Sequence, residues 1–191
     1  MFFEISERVK DLSATALKKA ETVFGRIDEL TEYNQQKVLS AFIRNRVDET
    51  DFNTTTGYGY SDKGREKLDV LTADIFGAES AIIRSGALSS GTHTLAVCLY
   101  GILRPNDLML SITGKPYDTM DDIIHGKDGE DIGSLKDFGI RYKQVDMIGD
   151  EINISETLKI IKEEKPKMVY LQRSRGYSSR EALSVYYMGV F

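Results

Sequence analysis

The sequence predicts an α/β fold with helices at its N-terminal end. Three observations carry that expectation. Short apolar runs of strand length recur after residue 77, at 80–84, 108–112, 140–147 and 167–172. Helical patterns separate them, at 90–102, about 117–125, 134–138 and 155–164. Alternation of this kind builds parallel β-α units. Before residue 77, apolar residues recur instead at the three- and four-residue intervals of amphipathic helices.

Taken in order, residues 4–24 read as a first helix, with Ile5, Val9, Leu12, Leu17, Ala20, Val23 and Phe24 along it. Gly25 is placed to stop that helix. Residues 29–47 read as a second, with Leu30, Val38, Phe42 and Val47 on one side. Asp48 to Thr56 is rich in Asp, Asn and Thr and reads as a loop. A helix is expected from Gly64 to Phe76, ended by Gly77. Pro105 and Asp107 punctuate the turn into the strand at 108. Ser155 is placed to cap a surface helix that ends before Pro166. The last stretch, Glu181 to Phe191, begins like another helix and is apolar. Finished domains tend to end in polar, exposed residues.

Bulk composition narrows the function classes. The 191 residues are 41% hydrophobic and 29% charged, as in a water-soluble globular domain. A net charge of −5 argues against a nucleic-acid binder held by phosphate contacts. The one cysteine, Cys98, cannot form an intrachain disulfide, and it falls on the apolar side of a helical pattern, where burial is expected. A reducing, cytoplasmic location fits. No run reads as a signal peptide or a membrane span, so no membrane partner is expected. Two histidines and one cysteine make no metal cluster with ligand spacing.

Four stretches carry candidate chemistry. The first is Ser90-Gly91-Thr92, between an apolar run and a helix. The first N–H groups of a helix lack intrahelical partners and carry the positive end of its dipole. Glycine admits close approach, and hydroxyls add donors, so the stretch reads either as a phosphate cradle or as a helix cap. The second is Thr113 to Thr119, directly after the 108–112 strand, where ligands gather in open α/β sheets. Tyr117 there offers a ring to a flat cofactor; the other reading is a turn capped by Asp118 or Thr119. Lys115 reads as a phosphate contact, an amine nucleophile or a solvated lysine. The third is Thr56-Gly57-Tyr58-Gly59-Tyr60, a glycine frame holding two tyrosines, suited to a site or an interface. The fourth is Arg173-Ser174-Arg175, again after a strand, either a carboxylate clamp or a salt-bridged loop. The carboxylates Asp121, Asp122, Asp128, Glu130 and Asp131 lack EF-hand spacing and read as a solvated loop.

In order, the runs Thr55 to Arg65, Phe76-Gly77-Ala78-Glu79, Ser90-Gly91-Thr92-His93, Leu103 to Asp107, Ile112 to Thr119, Gly133-Ser134-Leu135 and Gln172 to Ser178 form a set. The set resembles the aluminium-resistance or methionine gamma-lyase-like family, related to cystathionine beta-lyase. That resemblance implies a fold-type-I enzyme using pyridoxal phosphate (PLP). It implies that Ser90, Gly91 and Thr92 bind the cofactor's phosphate and that Tyr117 stacks on its pyridine ring. It implies that Tyr58 and Tyr60 reach the phosphate site of a neighbouring subunit in a homo-oligomer. The implied reaction is carbon–sulfur cleavage of a small sulfur-containing amino acid, with transamination as a neighbouring alternative. In the family, the Schiff-base lysine and the aspartate facing the pyridinium nitrogen lie downstream of a loop like 173–178. No catalytic residue is therefore assigned in this chain, which is expected to be inactive alone. The alternative is a non-catalytic remnant or interaction module. The resemblance divides the chain into a helical segment, 1–50, and an incomplete PLP-binding large domain, 51–191. The large domain would be truncated after about four strands, with the small C-terminal domain absent.

Overall fold

A computed structural model of the chain describes residues 3–58, 60, 62–84, 86–127, 133–185 and 189. Contacts divide the chain into two units, Met1–Ser85 and Gly86–Phe191. Among the described residues, no helix is long and apolar enough to cross a membrane.

The first unit opens with one long helix, α1, Glu7–Arg44, where two were expected. Gly25 does not end it. A single glycine in a helix interior costs about 1 kcal/mol, far less than breaking the run on both sides. Gly25 also lacks the positive φ of the glycines that do turn the chain here. Near the end of α1, Arg44 forks onto Asp74, with Nη2–Oδ1 at 2.9 Å and Nε–Oδ2 at 3.2 Å. Asn45, the C-cap, donates to the same carboxylate at 2.8 Å.

Asp48 then starts a short 3-10 turn, Glu49–Phe52, through a reciprocal capping box with Asp51. Asp51 is buried between Lys63 at 3.3 Å and Lys67 at 3.8 Å. Helix α2, Lys63–Phe76, is capped by Asp62, which accepts from the Arg65 N–H. It ends at Gly77, whose φ of 64° is left-handed. Gly64 has a packing role: a Cβ there would sit 2.2 Å from the Asp51 carbonyl oxygen.

Residues 80–84 form no strand, against expectation. A strand needs a neighbour's ladder to satisfy its backbone. Here the Ile83 N–H donates to Asp69 Oδ1 at 2.8 Å, and Arg84 forks onto the same carboxylate at 2.7 Å through both Nη atoms. Side chains thus stand in for a sheet.

The second unit holds the α/β core. Helix α3, Gly91–Ile102, leads to β1, Leu108–Ser111. A 3-10 turn, Asp118–Met120, runs into the short helix α4, Asp121–His125. Strand β2, Arg141–Gln144, helix α5, Ile154–Glu164, and strand β3, Met168–Tyr170, follow. The sheet is parallel throughout, in the order β2-β1-β3, with Leu108 opposite Arg141 and Met109 opposite Met168. Three of the four expected strands therefore form, side by side. Asn153 caps α5 and accepts from the Glu156 N–H at 3.2 Å, in place of the expected Ser155. The expected helix at 134–138 is a turn, fastened by Ser134 and Asp137. Residues 181–184 are not helical, and the rest of the apolar end, with Tyr186, Tyr187, Met188, Val190 and Phe191, lies outside the described residues.

All four residues of β1 are buried, as a doubly covered central strand requires. Met109 faces one cluster, with Leu99, Leu103, Met120, Ile124 and Leu135. Leu110 and Ile112 face the other, with Val145, Ile152, Ile160 and Leu183. Leu99 is the only buried residue of α3, and Cys98 is exposed rather than buried. The α3 pattern is apolar around most of its circumference, so periodicity could not say which side faces the sheet.

Two expectations follow for the first unit. Gly64→Ala should lower its stability by about 2 kcal/mol, because backbone must shift to admit the Cβ. Gly25→Ala should instead raise it by up to about 1 kcal/mol. Urea unfolding followed by circular dichroism compares them. The second concerns acid. Hydrogen bonds from Thr50 and Lys63 hold the Asp48 carboxyl down to about 2. Arg84 lowers Asp69, and Arg44 lowers Asp74. Their contributions are present above the unfolded carboxylate range and vanish as pH falls through the folded values. Melting temperature should therefore drop steadily from about pH 5 to pH 2, and Asp69→Asn should flatten part of that slope.

Candidate functional site

The site lies in the second unit, at the C-terminal ends of β1 and β3 and the N-terminal end of α3. Ser90 is in extended conformation, with φ −156° and ψ 166°, and its Oγ accepts from the His93 N–H at 3.0 Å. Its carbonyl takes the Thr94 N–H at 3.0 Å and the Thr94 hydroxyl at 2.9 Å. Ser90 is thus a helix cap. Its hydroxyl proton is not consumed by that role, since the capping oxygen acts as acceptor. The N–H groups of Gly91 and Thr92 occupy helix positions that have no intrahelical acceptor. Gly91 faces open space, with nothing within 4 Å of a built Cβ. His93 fastens the same turn from outside, its Nδ1 3.2 Å from Ser89 Oγ.

Tyr117 is held opposite. Its N–H donates to Gln172 Oε1 at 2.8 Å, and its hydroxyl donates to that of Tyr177 at 3.3 Å. The two rings stack at 5.8 Å and 25°. Hydrogen bonding to Tyr177 raises the Tyr117 phenol above its ordinary value, so it stays protonated at neutral pH. Gly176, with φ 57°, lets the backbone pass the Tyr117 ring, and a Cβ there would lie 3.4 Å from it. Gln172 is itself fixed, its N–H donating to the buried Thr113 hydroxyl at 3.0 Å. Thr92 and Thr119 join the two sides through their hydroxyls at 2.7 Å.

Together these groups line a cavity of about 570 Å³, walled by Gly91, Thr92, Tyr117, Thr119, Tyr170 and Gln172. Among the described residues no lysine lines it. Lys115 points elsewhere and pairs with Asp121 at 3.2 Å. Arg173 and Ser174 also wall this cavity, and Arg173 Nε donates to the Leu183 carbonyl at 3.0 Å; Ser174 and Arg175 wall a second cavity that also includes Tyr117. Arg180 clamps the same loop by donating to the carbonyls of Gln172, Arg173, Ser174 and Glu181.

The structure therefore brings Gly91, Thr92 and Tyr117 to one cavity, and Ser90 caps the helix that carries the first two. Tyr58 and Tyr60 belong to the first unit, where both are exposed; Gly59 between them lies outside the described residues. Asp128, Glu130 and Asp131 also lie outside them, and no group that could hold a metal ion occurs among the described residues. Thr119, Gln172, Tyr177 and Arg180 acquire roles that sequence reasoning did not give them. Their signal was weak: a strand candidate ending in Gln172, and an arginine whose acceptors are backbone carbonyls.

Comparisons with known proteins identify a family. The methionine gamma-lyase family profile matches residues 9–189. The uncharacterized protein YnbB of Bacillus subtilis is 39% identical over 177 residues. That match takes in 91% of this chain and 42% of YnbB. A solved structure of a carbon-sulfur lyase involved in aluminum resistance from Clostridium novyi superposes with a TM-score of 0.87 at 43% identity. It covers 95% of this chain and 43% of that one. A Clostridium acetobutylicum protein, provisionally named a cystathionine beta-lyase involved in aluminum resistance, superposes at 0.89 and 43% identity. It covers 95% of this chain and 44% of that one. The PLP-dependent protein YhfS of Escherichia coli shares the fold alone, with a TM-score of 0.57 at 19% identity over 79% of this chain and 38% of that one. The chain thus spans about two-fifths of the length of the relatives it matches.

One outcome follows for the site. Removing the amide in Gln172→Ala leaves the Tyr117 N–H unpaired and should cost about 1 kcal/mol. The loop should then open more often, and limited chymotrypsin digestion should cleave faster after Tyr117 than in the unaltered chain.

Proposed function

The chain belongs to the methionine gamma-lyase family, and from that membership we propose that it forms the phosphate- and ring-binding part of a PLP-dependent carbon–sulfur lyase. The observation that carries the reading is the single cavity between the Ser90-capped end of α3 and the Tyr117 ring. An anion fits its first side: two N–H groups at a helix N-terminus, the positive end of the dipole, and a glycine with no side chain in the way. A flat aromatic ring fits its second side, beside Tyr117. The residues present therefore suit the phosphate and the ring of PLP. They do not supply a lysine for its aldehyde.

Gly91 and Thr92 would hold the phosphate through their N–H groups, with Ser90 and Thr92 hydroxyls as further donors. The Thr92–Thr119 pair would keep the phosphate side and the ring side in fixed register. Tyr117 would orient the pyridine, its hydroxyl anchored on that of Tyr177. Gln172 and Arg180 would hold the loop that carries these rings. When bound, PLP supplies the electron sink that makes the Cα proton of an amino acid removable. The lysine that would move that proton lies outside this chain by the family resemblance, so we read the chain alone as inactive. A small sulfur-containing amino acid is the proposed substrate class of the whole protein, and a homo-oligomer in which Tyr58 and Tyr60 reach a neighbour's phosphate site is its proposed assembly.

Titration with PLP and with pyridoxal, followed by absorbance, tests the reading. PLP should bind reversibly and more tightly than pyridoxal, with inorganic phosphate competing. Thr92→Val combined with Gly91→Val should reduce PLP affinity by about tenfold or more, through loss of the Thr92 hydroxyl's charge-assisted hydrogen bond and a side chain placed where the anion would sit. Borohydride treatment followed by mass spectrometry should show no stoichiometric adduct. Equal affinity for PLP and pyridoxal would remove the phosphate cradle from the reading, and a stoichiometric adduct at one lysine would remove the claim that the chain lacks the cofactor's lysine.

A further inference from the structure

The loops that leave the three strands line a further cavity of about 420 Å³, none of whose walls comes from α3. Thr113 and Lys115 follow β1, Asp150 follows β2, and Arg175, Ser179 and Arg180 follow β3. All three segments leave the C-terminal ends of parallel strands, where ligands gather in such sheets. Gln172 is the one residue this cavity shares with the cavity between α3 and Tyr117.

Its walls carry three cations, Lys115, Arg175 and Arg180, against one carboxylate, Asp150. Like charges gathered in a concave surface focus a positive potential there. Little in the protein cancels these three. The Arg175 guanidinium makes no hydrogen bond or ion pair with the described residues. Arg180 is half-buried and spends its Nη hydrogens on four backbone carbonyls, so its donors are used while its charge has no carboxylate partner among the described residues. Lys115 pairs with Asp121 at 3.2 Å, but the two side chains are 57% and 44% exposed. A pair in that much water is screened and contributes little. It yields readily to a better acceptor.

Thr113 adds an observation that does not rest on charge. It is only 7% exposed, and its Oγ1 accepts the Gln172 N–H at 3.0 Å. Its own hydroxyl proton has no acceptor among the described residues. Buried donors are normally satisfied, so this one marks a place for an acceptor. The Ser179 hydroxyl, also on the wall, makes no hydrogen bond with the described residues. Ser178 instead donates to the Arg175 carbonyl at 2.7 Å and fixes the turn that carries Arg175.

We propose that this cavity binds the oxyanion head, phosphate or carboxylate, of a small molecule. Arg175 offers such a head its paired donors. Lys115 adds charge, Thr113 and Ser179 add hydroxyl donors, and Arg180 adds charge from a fixed position. The site is separate from the proposed cofactor cradle and does not depend on it.

Inorganic phosphate is the probe, titrated at low ionic strength and followed by phosphorus NMR. The chain carrying Gly91→Val and Thr92→Val, which impair the cradle, should still bind phosphate saturably. Adding Arg175→Gln and Lys115→Gln to it should weaken that binding by about tenfold or more. Arg175→Lys should weaken it less, because the charge stays and the fork is lost. The melting temperature should move by less than about 2 °C, as surface changes do. In the otherwise unaltered chain, Arg175→Gln with Lys115→Gln should leave PLP affinity within about twofold. Acetate that displaces the phosphate points to a carboxylate head and acetate that does not points to a phosphate; both support the site. Loss of all phosphate binding in the Gly91 and Thr92 variant overturns the proposal, and so does binding indifferent to Arg175 and Lys115. A parallel loss of PLP affinity overturns it too, because the two cations would then belong to the cofactor's phosphate.

Discussion

Strand β1 is buried on both faces and hydrogen-bonded on both edges, and it sets what the second unit is able to be. A strand in that position has to be apolar on alternate sides of the sheet at once. Met109 and Leu110 meet that demand by entering opposite clusters. Its polar end is then a problem with few solutions. Ser111 is fully buried, and its hydroxyl turns back to donate to the Gly114 carbonyl at 2.6 Å. Thr113 is satisfied by the Gln172 N–H. These two bonds bend the chain sharply off the sheet and tie it to the loop after β3. The position of Tyr117 is a consequence.

The same constraint explains why the cavity is where it is. Parallel strands all end on one side, so the loops after β1 and β3 leave the sheet together. The ladder itself runs on past the strand, with the Ile112 N–H on the Tyr170 carbonyl at 3.0 Å. Helix α3 adds its N-terminus to that edge through the Thr92–Thr119 bond. A capped helix N-terminus, an aromatic ring and a ring-fixing amide thus come from positions 27 to 82 residues apart (Ser90, Tyr117, Gln172) without any one of them being unusual locally.

That distribution decides what was readable in the sequence. The strands at 108–112, 140–147 and 167–172 were legible because apolar runs of that length have few other uses. Segment 80–84 has the same local pattern and forms no strand, because strand formation is a property of pairs and Asp69 offered its backbone another acceptor. Gly25 looked like a stop, yet a stop needs a left-handed turn and a partner for the freed carbonyls, which Gly77 has and Gly25 lacks. Cys98 sits on a helix with more apolar faces than the sheet can cover, so its exposure could be decided only by packing. Within the site, Ser90, Gly91, Thr92 and Tyr117 were nameable from their spacing. Thr119, Gln172, Tyr177 and Arg180 were not, since each acts through a partner distant in sequence.

The cap and the cradle at Ser90 were opposed as readings of the sequence; the structure shows the cap, and the proposed cradle is compatible with it. Capping uses an oxygen lone pair of Ser90 to satisfy the third N–H of the helix, that of His93. An anion would use what the cap leaves over: the two earlier N–H groups, the hydroxyl proton and the dipole. The cap also fixes the turn in which those leftover donors converge, which an uncapped, fraying helix end would not do. A good N-cap followed by glycine is therefore a precondition for the phosphate site. What separates a mere helix start from a binding site is whether a second element closes over the donors. Here Thr119 and Tyr117 do so, and both are delivered by the exit of β1 from the sheet.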